Sequence, residues 1–590
     1  MGMKPLVLAT FPSQIERVRI VGRAVDGDVR DRVGEGVDLR EIVRAAFQEG
    51  RPLVLFLAVG AAVRLLADLL GDKESEPPVV CVSSDGKHVV PVLGGHHGAN
   101  DLAALCAAAL GAVAAVTTAS GDSGAALENL PVGWKLDPLV DRKSVLAQLA
   151  QGSEIVCNDG SVPWLEPGSG VEAVGSERAA ADASVVLRPA NLVVGVGCER
   201  GCGIEELVSL VRSALDDAGL SPSSIAAVVS IDLKSDETAV LETAADLHVP
   251  ARFLSAEILE AERDRLANPS EIVFAEVGCH GVAEGGALAG AGPAGELIVA
   301  KRKSKRATVA IARAPEPVDP KTIGRARGSL HVVGLGPGTP AWRAPEAAAV
   351  LGQCDHWVGY SLYLDLAADL HDGQVRHEFP LGGEEDRVRH ALELAGRGEE
   401  VALICSGDPG IYAMASLVFE VLERGDVSDG SRRAKVSVVP GISALQAAAA
   451  RAGAPLGHDF CTISLSDLLT PWEAIERRIR AAADGDFVIA FYNPVSKRRR
   501  TQLARAVEIL LEHRPADTPV IIATDLGRPN EAVRIARLDE LRVDDVDMLT
   551  VVLVGSSHTR AFEDGEGRMR VFTPRGYSAK PGTTLAEAAE

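Results

Sequence analysis

Aromatic residues are scarce: they make up 4% of the 590 positions. Alanine, valine, leucine and glycine take their place, a composition of layered α/β cores and not of a disordered chain. Paired cysteines are missing too. The nine cysteines are an odd number scattered along the chain, and a chain this long buries large cores without disulfide or metal staples. Positive charge is in deficit, with 60 Lys and Arg against 82 Asp and Glu, a formal net charge of −22. That charge repels phosphate backbones and argues against nucleic acid as a partner. The basic run KRKSKR at 301–306 reads as a solvated surface segment. An unbroken apolar span is also lacking. LVLFLAVGAAVRLLADLL at 53–70 is interrupted by Arg64 and Asp68, so it reads as strand, glycine turn and helix, and no membrane partner is expected. The N-terminal MGMKPLVLATFPSQ turns polar too early for a signal peptide. The expected compartment is a reducing cytoplasm. No fixed period persists, which excludes collagen, coiled coils and repeat arrays.

Short β-branched runs alternate with alanine- and leucine-rich helical stretches: PLVLAT, PLVLFLAV, NLVVGVG, AAVVSID, SLHVVGLG, EVALICSG, KVSVVPG, FVIAFYN, PVIIAT and MLTVVLVG. Several run into glycine turns and then helices. The fold class is therefore α/β and multidomain, with largely parallel sheets. At about 150 residues per domain the length suggests roughly four. Residues 165–190 are rich in Gly, Glu, Ser and Ala and have weak periodicity. Residues 314–328, APEPVDPKTIGRARG, hold three prolines and read as a linker.

SLHVVGLGPG at 329–338 is a strand followed by Gly334, Gly336, Pro337 and Gly338. A dinucleotide loop wants G-x-G-x-x-G opening a helix, whereas Pro337 removes a donor from such a cradle. Taken alone this loop is as readily a structural turn as a site. EVALICSGDPGIYAMAS at 400–416 runs a strand into Ser406, Gly407, Asp408, Pro409 and Gly410. KVSVVPGIS at 435–443 repeats the design, FVIAFYNPVSKRRR ends a strand at Asn493-Pro494, and ATDLGRPNEAV and VVLVGSSHTR close two more. Ligands of α/β sheets gather at carboxyl ends of strands, and all these loops are expected there.

The ordered set GLGPG, SGDPGIY, VPGISA, FYNPVSKRR, GRPNE and VGSSHT resembles the tetrapyrrole methylases of cobalamin biosynthesis, over roughly 329–575. Among them it is most similar to those that methylate precorrin-3B at carbon 17. The resemblance implies two α/β subdomains that hold S-adenosylmethionine and a corrinoid intermediate between them, and a homodimer formed through this domain. It implies methylation at ring carbon 17 coupled to ring contraction to precorrin-4, from precorrin-3B or its cobalt form. It places cofactor contacts on Gly336, Pro337 and Gly338, on Gly407, Asp408, Pro409, Gly410 and Ile411, and on Ile442 and Ser443, with Tyr492 and the GRPNE stretch as further candidates. Because a sulfonium methyl is already activated, the protein's main task is positioning. Ring contraction also needs proton handling, for which His458, Ser464 and Asp467 are the candidates, although Ser466 or Asp467 before a helix is equally an N-cap. Asn493, Arg498 and Arg499 are candidates for the substrate carboxylates, with a solvated turn as the other reading of SKRRR.

Upstream, Cys198 and Cys202 in GCERGCG read as small buried residues and not as a metal pair. The stretches at 57–103 and 276–313 resemble the cobalt-precorrin-5A hydrolase family. That resemblance divides the first half into an α/β domain at 1–130, a variable region at 131–190 and a second α/β domain at 191–313. The methylase domain then runs from 329 to 575, with a tail at 576–590. The implied reaction opens a ring-A lactone and releases acetaldehyde. His96 and His97 in GGHHGANDL are the acid–base candidates, and Arg64, Lys73 and Asn100 the substrate contacts. Alternatively Asn100 or Asp101 caps the following helix. Neighbouring histidines on one turn rarely converge on one ion, so no metal is expected; cobalt enters only as part of a substrate. Two other classes compete. One makes this half a non-catalytic corrinoid-binding module. The other is a nucleotide-dependent oxidoreductase, which the Asp408-Pro409 loop and the missing G-x-G-x-x-G disfavour.

Overall fold

The computed structural model describes residues 3–30, 39–71, 76–116, 127, 130–181, 183–496 and 499–576. The chain divides into two compact units: 1–229 with 242–250 and 257–323, and 324–590 with 230–241 and 251–256.

The first unit opens with a six-stranded sheet. Leu6–Ala9, Leu53–Phe56 and Val79–Val82 run parallel through its centre. All twelve residues of these three strands are buried, because helices cover both faces. Val7, Ala9, Val54, Phe56, Val80 and Val82 pack under helices Ile15–Ala24 and Ala99–Leu110. The alternate residues Leu6, Leu8, Leu53, Leu55, Val79 and Cys81 pack under Leu39–Gln48 and Val59–Leu66. The apolar run at 53–70 is thus a strand followed by a helix.

Residues 165–190, weak in period, carry two strands of a second, four-stranded sheet, Val171–Gly175 and Val185–Pro189. These five-residue strands are too short for alternation to stand out. The sheet is fastened by a buried ion pair in which Arg188 Nε donates to Asp137 at 2.5 Å. The same guanidinium also donates to the carbonyls of Ser176 and Ala179.

In the third sheet Leu192–Cys198 pairs parallel with Ile225–Ile231 and antiparallel with Ala307–Arg313. Helix Val282–Ala291 lies directly on Leu192–Cys198. A Cβ at Gly195 would sit 1.9 Å from the Ala283 carbonyl oxygen, so only glycine admits this approach. The KRKSKR run is not a freely solvated segment. It ends strand Glu296–Lys303 and turns into Ala307–Arg313. Arg306 is tied down by Glu199 and by the carbonyls of Arg200 and Gly201. Residues 314–328 hold one short turn, Pro320–Thr322, capped by Asp319.

The second unit carries two five-stranded sheets and a three-stranded ribbon. The first sheet is wholly parallel, in the order Val375–Phe379, His356–Tyr360, Glu400–Cys405, Ser329–Gly334, Lys435–Val439. Helices Glu384–Gly396 and Met414–Arg424 cover one face, and Pro345–Gln353 and Ser361–Asp365 the other. The second sheet departs from the parallel expectation. Only Phe460–Ser464 and Val488–Tyr492 pair parallel, and Thr550–Val554, Pro519–Thr524 and Ala532–Arg537 pair antiparallel. The GRPN turn between Pro519–Thr524 and Ala532–Arg537 is too short for a parallel crossover. This reverses one expectation about the loops. Thr550–Val554 runs against its neighbours, so VGSSHT sits beside the start of Pro519–Thr524, where Gly555 N donates to the Pro519 carbonyl at 2.9 Å. It lies at the edge opposite the YNP and GRPNE loops.

Among the described residues no single helix is long and apolar enough to cross a membrane. Asp137→Ala should leave the Arg188 guanidinium buried without its counter-charge, at a cost of about 3–5 kcal/mol. Amide exchange in Trp134–Leu136 and Val185–Pro189 should accelerate while the strands of the first sheet keep their protection.

Candidate functional site

Three neighbouring parallel strands, Glu400–Cys405, Ser329–Gly334 and Lys435–Val439, release their loops at one edge of the second unit's first sheet. Those loops touch backbone to backbone. Gly407 N donates to the Gly336 carbonyl at 2.7 Å, and Gly336 N returns the bond to Gly407 O at 3.2 Å. Both glycines take positive φ, +69° and +74°, which a side chain would strain. A Cβ at Gly441 would stand 2.1 Å from Gly407 O, and one at Gly334 2.6 Å from the same oxygen. Glycine is therefore a packing requirement here as well as a turn residue.

Asp408 joins two of these loops. Its Oδ1 accepts from Gly410 N at 2.8 Å and its Oδ2 from Gly441 N at 3.2 Å. The carboxylate is thus engaged by backbone donors, fixing the loop shape from within. Pro337 and Pro409 are buried, Gly338 and Ile411 are half-buried, and Gly410 and Ile442 are exposed. Ser443 is buried and caps helix Ala444–Ala452 in a reciprocal box with Gln446. Its hydroxyl also bonds the Tyr492 hydroxyl, which accepts from Leu445 N at 3.0 Å. Burial pushes the Tyr492 phenol above its usual pKa. Ser443 and Tyr492 therefore pin the start of this helix to strand Val488–Tyr492 and so join the unit's two sheets.

The GRPNE turn contributes more to this edge than its sequence suggests. A Cβ at Gly338 would meet Arg528 Cγ at 2.8 Å, and Arg528 Nη2 donates to Ser406 Oγ at 3.4 Å. Glu531 accepts from Gly527 N at 2.6 Å and pairs with Arg451, also at 2.6 Å. Tyr412, another residue beyond the sequence candidates, donates its hydroxyl to the Thr462 carbonyl at 2.9 Å, and its ring lies 5.3 Å from that of Tyr492. The spacing of GRPNE was the only sequence signal for the first pair. Tyr412 closes the SGDPGIY motif, but nothing in that motif points to Thr462 or Tyr492 as its contacts.

At the carboxyl ends of Phe460–Ser464 and Val488–Tyr492 a polar network forms. Asn493 Nδ2 donates to Ser464 Oγ at 3.2 Å, Arg499 Nη1 to Ser466 Oγ at 3.1 Å, and Gln502 Nε2 to Asp467 at 2.8 Å. Arg499 also holds the Asn493 carbonyl. Neither Ser466 nor Asp467 caps the next helix, whose N-cap is Pro471. The same loop turns Leu468 and Leu469 outward, 84% and 94% exposed. His458 stands apart from this group. It precedes strand Phe460–Ser464, at the end opposite Ser464, exposed and beside Asp459. Arg498 lies outside the described residues.

In the first unit His97 is exposed on a short turn, Gly95–His97, flanked by Gly94 and Gly98 at positive φ. The His96 side chain and Lys73 lie outside the described residues. Asn100 is half-buried in the first turn of Ala99–Leu110. The N-cap of that helix is Gly98, with no side-chain cap, so neither Asn100 nor Asp101 acts as one. Burial raises the Asp101 carboxyl pKa. Arg64 Nη1 donates to Gly60 O of its own helix at 2.7 Å. Cys202 is buried and Cys198 half-buried, and neither is in a disulfide. Among the described residues no group of His, Cys, Asp and Glu could hold a metal ion.

Residues 329–542 match the family described as Tetrapyrrole (Corrin/Porphyrin) Methylases. Residues 192–312 match Cobalamin synthesis G C-terminus and 41–121 Cobalamin synthesis G N-terminal. A precorrin-3B C(17)-methyltransferase of Sinorhizobium sp is 44% identical over 252 residues, 42% of this chain and 98% of that protein. A probable cobalt-factor III C(17)-methyltransferase of Salmonella typhimurium is 42% identical over 249 residues, 42% of this chain and 99% of the other. The crystal structure of the methyltransferase CobJ aligns at 42% identity over 42% of this chain and 100% of that one, with a TM-score of 0.39. Some longer relatives are covered over only 48% or 46% of their length.

Tyr492→Phe should free the Leu445 amide and the Ser443 hydroxyl at a cost of about 1–3 kcal/mol. Amide exchange at Leu445 should quicken by tenfold or more relative to strand Glu400–Cys405.

Proposed function

Because the chain belongs to the tetrapyrrole (corrin/porphyrin) methylase family, we propose that its second unit methylates precorrin-3B, or its cobalt form, at carbon 17 with ring contraction, in cobalamin biosynthesis. The observation that carries this reading is the locked edge formed by the 334–338, 406–411 and 440–443 loops. These loops pack main chain on main chain at the carboxyl ends of parallel strands, where α/β sheets bind ligands, and the reading places an amino-acid nucleoside such as S-adenosylmethionine there. We assign that ligand to Gly336, Pro337, Gly338, Gly407, Pro409, Gly410, Ile411 and Ile442. Asp408, Ser443 and Tyr492 set the loop geometry. Bound S-adenosylmethionine supplies an activated methyl group on its sulfonium.

The chain's own residues then orient the two reactants and exclude water, since alignment within about 3–3.5 Å accounts for most of the rate effect in such a transfer. Ser464, Asn493, Asp467 and Arg499 form one connected polar group at strand ends. We assign it to the carboxylates and the moving proton of the macrocycle. Leu468 and Leu469 beside it suit an apolar ring face. Any cobalt belongs to the substrate. We place the reaction in the cytoplasm and expect a homodimer.

The first unit, which carries both cobalamin synthesis G matches, is the hydrolase of this protein: it opens the lactone of cobalt-precorrin-5A and releases acetaldehyde. Arg64 and Asn100 are assigned to substrate binding.

Calorimetric titration of S-adenosylmethionine tests the first reading. Wild type should bind at micromolar concentration. Asp408→Ala, which releases the Gly410 and Gly441 amides from a charged acceptor, should bind tenfold to a hundredfold more weakly. A folded wild type that binds nothing, with or without a corrinoid present, would remove the methylase assignment.

A further inference from the structure

Neither the methyl-transfer site nor the histidine loop at 94–100 involves a tightly built histidine–carboxylate pair of the first unit. His280 is buried, with its side chain 5% exposed. Its Nδ1 lies 2.8 and 2.9 Å from the two carboxylate oxygens of Glu260, and its backbone N donates to Glu260 Oε2 at 2.9 Å. Glu260 thus holds both ring and backbone. Hydrogen bonding from the His280 ring keeps the Glu260 carboxyl below its usual pKa, with desolvation opposing and the charge of Arg263 assisting. A carboxylate on Nδ1 fixes the tautomer and leaves Nε2 as the acceptor.

What faces Nε2 is not a structural partner of the same quality. Glu271 Oε1 stands 3.4 Å away on a side chain 83% exposed. That is beyond a good hydrogen bond and free to move off. The Phe274 ring stacks on the imidazole at 4.4 Å and 24°, while remaining 42% exposed, and Ile272 is 75% exposed. The groups facing His280 are therefore Glu260, Glu271 and Phe274, with Arg263 acting on Glu260 and Cys279 adjacent and buried. The scaffold is firm. Glu284, itself buried, accepts from Asn268 N and Nδ2, both at 2.9 Å, and from Lys301 N at 2.8 Å. Ser270 N donates to His280 O at 2.8 Å.

The pair also stands where ligands bind in such sheets. His280 and Gly281 lead directly into helix Val282–Ala291. A Cβ at Gly197 would meet Val282 Cβ at 3.4 Å, so the start of that helix lies at the carboxyl end of the parallel strand Leu192–Cys198.

We propose that His280 is the catalytic base of lactone opening in the first unit, with Glu260 as its positioning residue. The proposal rests on the hydrolase reading of this unit. A water oxygen adds to the lactone carbonyl carbon as one of its protons passes to Nε2. The ring C–O bond then breaks, and the departing oxygen takes the proton from the imidazolium; the hydroxyl so formed becomes the carbonyl of acetaldehyde as its carbon–carbon bond to the macrocycle breaks, the bonding pair and the hydroxyl proton passing to the ring carbon left behind. One water is consumed and nothing is oxidised or reduced. Glu271 swings away to admit substrate, and the open face of Phe274 with Ile272 meets apolar ring atoms.

The test assays the full chain on cobalt-precorrin-5A by acetaldehyde release, with carbon-17 methyl transfer measured on the same preparations. His280→Ala should lose at least a hundredfold in acetaldehyde release and keep methyl transfer within twofold. Glu271→Gln should stay active and move the rising limb of the pH–rate profile to lower pH by about half a unit or more. The sign follows because a carboxylate 3.4 Å from Nε2 favours a proton there, and removing its charge lets the base act at lower pH. A structural His280 would leave that limb unmoved, and the exposed Glu271 decides the matter if His280→Ala fails to fold. Retained hydrolysis in a folded His280→Ala overturns the proposal alone, as does an unmoved limb, and loss in His97→Ala instead would shift the chemistry to the 94–100 loop. A wild type that binds cobalt-precorrin-5A and releases no acetaldehyde overturns the hydrolase reading itself, and the base with it.

Discussion

The second unit depends on a contact between backbones. Gly336 and Gly407 exchange two hydrogen bonds, and Gly334 and Gly441 close on the Gly407 carbonyl at distances that leave no room for a Cβ. Three strand-end loops thereby become one surface, and Asp408 locks it by accepting from two of them. The carboxylate acts mainly by shaping main chain. Backbone dipoles held in place need no reorganisation when a ligand arrives, which is where such sites gain their advantage.

The second sheet of that unit shows how strand direction sorts the loops between its two edges. Parallel pairing of Phe460–Ser464 with Val488–Tyr492 brings Ser464, Asn493, Arg499 and Asp467 to one edge. Antiparallel pairing sends VGSSHT to the other, where Ser557 bonds Asp486. The two sheets are joined at points of high constraint. Tyr492 reaches the cap of Ala444–Ala452, and Arg528 reaches Ser406 beneath Gly338.

The first unit repeats one device, glycine as a licence for close packing, in Gly195 under helix Val282–Ala291. The approach sets the helix start, and with it His280, at the carboxyl edge of the sheet. Its charged residues follow a different rule from the surface expectation. Arg306 and Arg188 spend their donors on carbonyls and carboxylates of their own fold, because a guanidinium can satisfy several acceptors from one position. That is why a basic run such as KRKSKR need not signal an anionic partner.

Sequence alone determined the α/β class, the buried strands and the glycine–proline loops. Each is written locally, in a run of apolar residues or in a residue type that only one backbone conformation tolerates. It also showed the order GLGPG, SGDPG, PGIS, and so the family. Tertiary structure alone decided three things. A strand's apolar run reads the same in either direction, so nothing in MLTVVLVG foretold that VGSSHT would face away from the site. His458 and Ser464 are near in sequence, yet a strand puts them at opposite ends. Glu260 and His280 lie twenty positions apart, with two short elements between them, and no periodicity links them. Their hydrogen bonds belong to the packed tertiary structure, because pairings across such distances are set by how the core closes and not by the local chain.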